Sequence, residues 1–172
     1  MKIQELDNLN GIINTYSGKL FSILDPQPEQ IDILDIAQGL AFKGHFAGQT
    51  PQFFSIAQHS ILVADLLESQ KLNSELILLG LLHDAAEAYI GDMITPIKIL
   101  LPVFQKIENS IVEAIALKYS LNLKLMKVIK YFDDQAKQIE FDSFYKGIRT
   151  LNYLTPEESK SQFLTRFYEL QK

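Results

Sequence analysis

The stretch that organises the chain reads LLHDAAEAYIGD and runs from Leu81 to Asp92. It continues an apolar helical segment and ends at a glycine turn. Yet it carries an imidazole and three carboxylates, those of His83, Asp84, Glu87 and Asp92. Burying an unpaired charge is costly, so such groups are normally paired or bound to a metal ion. We therefore predict that this stretch supplies part of a site whose other groups come from elsewhere in the chain.

The spacing within this stretch shows what is missing. Side chains of adjacent residues such as His83 and Asp84 point about 100° apart around a helix. They can share one ion only if further ligands arrive from other helices. Glu87 lies four residues after His83 and three after Asp84, so in a helix it shares their face.

Length and composition limit the class of protein. The 172 residues contain 47% hydrophobic residues and no cysteine, which predicts one globular domain over residues 1–172 without disulfides, thiolate catalysis or cysteine-based zinc sites. The segment Met1–Asp7 lacks the apolar core of a signal peptide, and no apolar run approaches the roughly 20 residues of a membrane span. We expect a cytoplasmic protein. The net charge of −5 argues against a general nucleic-acid binder but allows a small phosphorylated substrate.

The apolar periodicity predicts an all-α fold, an irregular bundle of six to seven helices. Helices are expected over about 31–40, 53–69, 74–88, 103–119 and 123–145, with a short helical turn opening at Thr95-Pro96. Asn73 is a plausible N-cap of the third, which should stop near Gly91. The last helix begins at a capping box formed by Thr155 and Glu158. Alternating strand patterns are absent, and the first thirty residues look irregular.

The histidines are candidates for the missing ligands, and there are three: His45, His59 and His83. His59 lies on an apolar helix face with Ile56 and Val63, where a lone histidine would more often donate to a backbone carbonyl. The next helix carries His83-Asp84, however, and two antiparallel neighbours can bring these side chains together. We therefore interpret His59 as a metal ligand.

A further carboxylate is expected from the pair Asp133-Asp134, and helical phase separates the two. Asp134 shares its face with the lysines Lys127, Lys130 and Lys137, which is typical of a solvated stripe. Asp133 lies between Ile129 and Ala136 and should face the core. The predicted ligand set is thus His59, His83, Asp84 and Asp133. Two imidazoles and two carboxylates suit one divalent transition metal ion such as Mn²⁺, Co²⁺, Fe²⁺, Ni²⁺ or Zn²⁺.

The order His59, His83-Asp84, Asp133 resembles the H…HD…D pattern of the HD-domain metal-dependent phosphohydrolases. The segments AQHS (57–60), HDAAE (83–87) and GDMITPIK (91–98) are similar to the branch containing small bacterial and phage 5′-deoxynucleotidases and deoxynucleoside triphosphohydrolases. Glu140, seven residues after Asp133, also fits this branch. The similarity runs from about Tyr16 to Glu140.

The resemblance implies roles for several residues. Glu87 would orient or deprotonate the attacking water and Asp92 would protonate the leaving oxygen or hold the nucleophile, and these assignments could be exchanged. The structural alternatives are a surface pair for Glu87 and a cap of the Thr95-Pro96 turn for Asp92. Thr95 would contact phosphate or cap that turn. Lys98 and Lys130 would neutralise further phosphates or remain solvated.

One position departs from the resemblance. The branch often has an arginine, implied to contact substrate phosphate, where this chain has His45 before Phe46. A histidine would be a weaker, pH-dependent cation in that role. The structural alternative for His45 is a solvent-exposed loop residue.

The predicted function is metal-dependent hydrolysis of a (deoxy)nucleotide, such as a deoxynucleoside monophosphate to nucleoside and phosphate, or a triphosphate to nucleoside and triphosphate. Two alternatives are hydrolysis of another phosphorylated metabolite and a nucleotide-binding regulatory protein without turnover. We expect a small-molecule partner, no membrane, no nucleic acid, and a homodimer or higher homo-oligomer. No heptad seam specifies that oligomer.

Overall fold

The computed structural model describes residues 11–148 and 151–172, and the segment Met1–Asp7 lies outside them. Within these ranges the predicted all-α fold is confirmed. Six helices have eight or more residues and two have a single turn. In chain order the helices are α1 (Ile33–Ala41), α2 (Ile56–Ser69), α3 (Ser74–Leu81), α4 (Glu87–Ile90), α5 (Thr95–Lys98), α6 (Pro102–Tyr119), α7 (Met126–Phe141) and α8 (Pro156–Leu170).

A small hairpin precedes the helices, and the prediction of irregular structure is wrong there. Strands β1 (Ile12–Asn14) and β2 (Leu20–Ser22) pair antiparallel, with Ile13 opposite Phe21. Strands of three residues are too short to show a pattern of alternation. The Asp35 carboxylate accepts hydrogen bonds from the backbone N–H of Ser17 at 2.5 Å and from its hydroxyl at 2.9 Å. These bonds fasten the hairpin turn to α1.

Helix α2 lies at the centre of the bundle and contacts α1, α3, α7 and α8. Its N-cap is Ser55, whose hydroxyl accepts a hydrogen bond from the Gln58 backbone N–H. Its buried apolar side chains join one core cluster with those of its neighbours. His59 is fully buried on this helix, at a point that α3 and α7 both reach.

The predicted helix over 74–88 is interrupted at the histidine–aspartate pair. Asn73 caps α3 as expected, accepting from the Leu76 N–H, but α3 ends at Leu81. In a continuous helix the Gly80 carbonyl would accept from the N–H of residue 84. Here it instead accepts from the His83 imidazole at 2.8 Å. Before α4 the backbone hydrogen bonds join residues three positions apart. Gly91, with a φ of +85°, ends α4.

The remaining helices follow the sequence more closely. The helix predicted over 123–145 is a 3₁₀ turn at Leu123–Leu125, then α7, then a π-helical turn at Asp142–Lys146. The capping box of α8 is confirmed, because Thr155 and Glu158 bond reciprocally. Within residues 11–148 and 151–172, none of the helices is long and apolar enough to cross a membrane.

Candidate metal centre

Three parts of the chain bring the four predicted metal ligands together. His59 comes from α2, His83 and Asp84 from the turn between α3 and α4, and Asp133 from α7. An Asp133 carboxylate oxygen lies 3.1 Å from His59 Nε2 and 3.8 Å from His83 Nε2. The Asp84 Oδ2 atom lies 3.1 Å from His83 Nε2 and 3.7 Å from His59 Nε2. The four side chains are therefore neighbours, with the Asp84 carboxylate beside both imidazoles.

The hydrogen bonds of the two histidines leave the same ring nitrogen available on each. The Gly80 carbonyl can only accept a hydrogen bond, so His83 Nδ1 carries a proton. His59 Nδ1 lies 2.7 Å from a Glu140 carboxylate oxygen and is the donor there. In the neutral form of each ring the lone pair is then on Nε2, the atom that faces the carboxylates of the site.

The unmatched atoms at this point fit a divalent cation. Among the described residues, His59 Nε2 and His83 Nε2 are buried without a hydrogen-bond partner. Both face Asp133, and the ligand atoms of the three residues lie within 4.8 Å of one another. Buried polar atoms are normally paired, so two unpartnered ring nitrogens in one place need an explanation. This buried group of residues could hold a metal ion.

Glu140 contacts the ring nitrogen of His59 that points away from the other candidate ligands. It is fully buried, and its second carboxylate oxygen lies 3.4 Å from His45 Nε2. A carboxylate on the outer nitrogen of a metal-binding histidine fixes the tautomer and ring orientation and increases basicity. Glu140 is suited to that role for His59. It also belongs to a second buried group, His45, His59 and Glu140, whose atoms are close enough to hold an ion.

The electrostatics of the metal-free site favour charged side chains. Burial lowers the pKa of His59, but the charge of Glu140 and the nearby Asp133 carboxylate outweigh it and raise the value to about 9. For His83 burial is likewise outweighed, mainly by the Asp84 charge, and the pKa rises to about 10. The same contacts lower the pKa of the Asp84 and Asp133 carboxyls against the effect of burial. Protons on the histidines thus occupy the metal's position in its absence.

Glu87 is a buried carboxyl rather than the surface residue that was the alternative. It is 7% exposed, and one of its oxygens lacks a hydrogen-bond partner among the described residues. Burial raises its pKa to about 9, with the charges of Asp84 and Asp92 adding to the effect. A carboxyl with a raised pKa is characteristic of proton-transfer groups in active sites.

Asp92 does not cap the Thr95-Pro96 turn, since the N-cap of α5 is Ile94 and no side chain bonds there. Its carboxylate instead accepts a hydrogen bond from the backbone N–H of Ala47 at 3.2 Å. Ala47 and the preceding Phe46 both have φ of +52°, an uncommon conformation for residues with side chains. Asp92 thus holds a strained loop against the site. Strained backbone at functional sites persists only where surrounding contacts such as this one keep it in place.

His45 is buried, so the structural alternative of a solvent-exposed loop residue is wrong. It is 4% exposed and its ring stacks on that of His59, with centroids 4.2 Å apart. Its two ring nitrogens face carboxylates, with Nδ1 3.7 Å from Asp92 and Nε2 3.4 Å from Glu140. Burial and the neighbouring His59 lower its pKa. His45 therefore resembles a neutral link between two carboxylates more than a cation offered to a substrate.

A cleft of about 580 Å³ opens beside the ligands, within the size range of small-molecule sites. The predicted substrate residues His45, Thr95, Lys98 and Lys130 line it, together with Glu87, Asp92 and Lys137. Thr95 is exposed, and its hydroxyl makes no hydrogen bond within the described ranges, which leaves it free for a ligand. Lys98 pairs with Glu108 at 2.7 Å.

Helical phase separates Asp133 and Asp134 as predicted, because their side chains are 7% and 61% exposed. The lysines beside them are not simply solvated, however. Lys130 lies 2.6 Å from Asp134 and 3.0 Å from Asp133, and Lys137 lies 2.8 Å from Asp133. The predicted surface pair of Lys130 with Asp134 is therefore present, and both lysines in addition contact the buried Asp133 carboxylate.

Sequence reasoning assigned no role to Glu140 or Lys137. Glu140 had a detectable signal, since it lies seven residues after Asp133 on the same helix face. Lys137 follows Asp133 by four residues, a spacing that allows a pair but does not show that one partner is buried in a site.

Comparison with known proteins gives relatives but no activity. No family model matches the chain. An uncharacterized protein of Rhodobacter capsulatus is 38% identical over 119 residues, covering 66% of this chain and 61% of that protein. The uncharacterized protein YfdR of Escherichia coli is 38% identical over 121 residues, covering 70% of this chain and 65% of YfdR. The chain thus spans less than two thirds of each curated relative, and the chemistry of the site is the basis for inferring function.

Proposed function

We propose that this protein is a divalent-metal-dependent phosphohydrolase that acts on a (deoxy)nucleotide. The observation that carries the proposal is the grouping of His59, His83, Asp84 and Asp133, in which two buried ring nitrogens lack hydrogen-bond partners. Three further acidic residues and three lysines line the cleft beside this group. Such an arrangement suits an anionic substrate next to a cation. The nucleotide part of the proposal rests on the resemblance of the sequence to HD-domain nucleotide hydrolases.

The residues divide into binding and proton-transfer groups. His59 and His83 would hold the ion through Nε2, and Asp84 and Asp133 through carboxylate oxygens. When bound, a divalent ion would supply Lewis-acid stabilisation of the phosphoryl oxygens. With four protein ligands, such an ion would keep further positions for substrate and solvent.

Hydrolysis joins a water oxygen to phosphorus and releases the ester oxygen, so one proton must be taken up and one delivered. We assign the uptake from water to Glu87, which lines the cleft beside the candidate ligands. Burial favours its protonated form in the metal-free site, and the charge of a bound divalent ion would favour the carboxylate that this role needs. Asp92 lines the same cleft and is assigned to the leaving oxygen. The hydrogen bond from Ala47 and the nearby His45 ring hold it in place.

The test is hydrolysis by chelator-stripped protein reloaded with Mn²⁺, Co²⁺, Mg²⁺ or Zn²⁺. Substrates should include deoxynucleoside and nucleoside monophosphates, the matching triphosphates and a phosphate monoester without a base. We expect metal-dependent release of phosphate or triphosphate, abolished by Glu87→Gln with the bound metal retained. Absence of product with every metal and substrate would refute the proposal. Nucleotide binding without turnover would then indicate a regulatory protein.

A further inference from the structure

The cleft lacks a cation at the position where the resemblance leads one to expect an arginine on the substrate phosphate. His45 stands there, but it is buried and both of its ring nitrogens face protein carboxylates. A substrate phosphate in this cleft therefore needs its positive charge from another residue. This inference rests on the proposed function, because it concerns how that substrate is held.

Two of the three lysines lining the cleft are paired with carboxylates that no metal would claim. Lys98 bonds to Glu108 at 2.7 Å, and both side chains are largely buried. Lys130 also contacts Asp133 at 3.0 Å, but its shorter bond, at 2.6 Å, is to Asp134, which is exposed and outside the candidate ligand set. Both pairs can persist when an ion occupies the site.

Lys137 is different. Its ammonium group lies 2.8 Å from Asp133, and within the described residues it has no other ion pair. Asp133 is a candidate metal ligand. A divalent ion on this carboxylate would take up its negative charge and repel the ammonium group. Lys137 is 37% exposed and carries a flexible four-carbon stem, so the ammonium group can move into the cleft.

We propose that Lys137 binds the substrate phosphate in the metal-loaded protein, replacing the arginine that this chain lacks, and that in the metal-free protein its ammonium group neutralises Asp133. The ligand class is a phosphate dianion, either inorganic or the terminal group of a phosphate ester. Metal and lysine thus compete for Asp133, whereas metal and phosphate cooperate through Lys137.

This arrangement makes two predictions of opposite sign for Lys137→Gln. Affinity for phosphate in the metal-loaded protein should fall by about 10- to 100-fold, the range for loss of a hydrogen bond to a charged group. Affinity for the metal should rise by a few fold, because a competing cation is removed from Asp133. A purely structural role for Lys137 would weaken both affinities together.

The experiment measures Mn²⁺ binding to stripped protein by competition with a chromogenic chelator, and inorganic phosphate binding to the Mn²⁺-loaded protein by calorimetry. Lys127→Gln is the matched control, an exposed lysine on the same helix outside the cleft. Lys137→Arg should retain most of the phosphate affinity. Unchanged phosphate affinity in Lys137→Gln, or parallel loss of metal and phosphate binding, would overturn the inference.

Phosphate binding does not depend on turnover, so this experiment separates the two proposals. A wild-type protein that hydrolyses nothing refutes the proposed function, yet phosphate calorimetry still tests Lys137. An active wild-type protein whose Lys137→Gln variant keeps its KM and its phosphate affinity refutes only the role of Lys137.

Discussion

Replacement of Glu140 by glutamine tests the site most directly, because it removes one charge and almost no volume. Glu140 is fully buried and accepts a hydrogen bond from His59 Nδ1 at 2.7 Å. A glutamine carbonyl can still accept this bond, so the tautomer of His59 should be preserved. What disappears is the negative charge that increases the basicity of the imidazole.

The size of the effect follows from two opposing contributions. Loss of a carboxylate behind a metal-binding histidine typically weakens metal affinity by about 10- to 100-fold, equivalent to roughly 1.4 to 2.8 kcal/mol. Against this, the Glu140 charge also raises the pKa of His59 to about 9, so at neutral pH a proton competes with the metal in the wild-type protein. Removing the charge lowers that pKa and relieves the competition. The loss of metal affinity in Glu140→Gln relative to the wild type should therefore be smallest near neutral pH and should grow as the pH approaches 9.

The assay is metal affinity by chelator competition at about pH 6.5, the ordinary pKa of histidine, and about two units higher. Glu113→Gln is the control, an exposed glutamate on α6 with the same change of charge. The variant Glu140→Leu, which also removes the acceptor, should lose more affinity than Glu140→Gln at both pH values. A Glu140→Gln variant that matches the wild type at the higher pH, or whose deficit is independent of pH, would refute this account of His59.

Three further predictions follow from the same geometry. Asp133→Asn should abolish stoichiometric metal binding whereas Asp134→Asn should retain it, as measured by metal analysis after gel filtration; equal loss in both would mean that the phase of α7 is misassigned. Gly39→Ala should lower the free energy of unfolding by about 1–3 kcal/mol, because an added methyl would lie 2.5 Å from the α4 backbone. This overpacking outweighs the roughly 1 kcal/mol by which alanine is favoured over glycine in a helix. An unchanged or higher midpoint in chemical denaturation would contradict this prediction. The pKa values of His59 and His83 are raised to about 9 and 10, so protonation of these residues stabilises the metal-free protein fully below about pH 6.5 and progressively less as the pH rises through the raised values. The Tm measured by scanning calorimetry with chelator should therefore fall between about pH 6.5 and pH 10. A Tm that does not change with pH would argue against protonated histidines.

The helices were predictable because their apolar faces repeat with the helical period and their ends carry local signals. Ser55, Asn73 and Thr155 cap their helices through side-chain oxygens. The break after Leu81 was not predictable in this way. It depends on the bond between the His83 imidazole and the Gly80 carbonyl, and the sequence does not show that this imidazole replaces the backbone donor.

The candidate site was predictable where its ligands lie on inward helix faces, as His59 does on α2 and Asp133 on α7. His59 and Asp133 combine a polar group with apolar neighbours one turn away, and this contrast is visible in the sequence. The burial of His45 was not, because the carboxylates that face its ring come from residues distant in sequence. Its environment comes from Asp92 and Glu140, which lie far along the chain.

The charges around the metal centre explain how the protein tolerates so many buried carboxylates without a cation. Protons on His59 and His83 and the ammonium group of Lys137 together provide positive charge beside Asp84 and Asp133. When a divalent ion binds, the protons must leave the Nε2 atoms of the histidines and the ammonium group must move away from Asp133. Metal binding should therefore release protons, as ligand deprotonation requires, and should free a lysine in the cleft at the same time. Coupling of the two events would make the cleft receptive to phosphate only after the ion is in place.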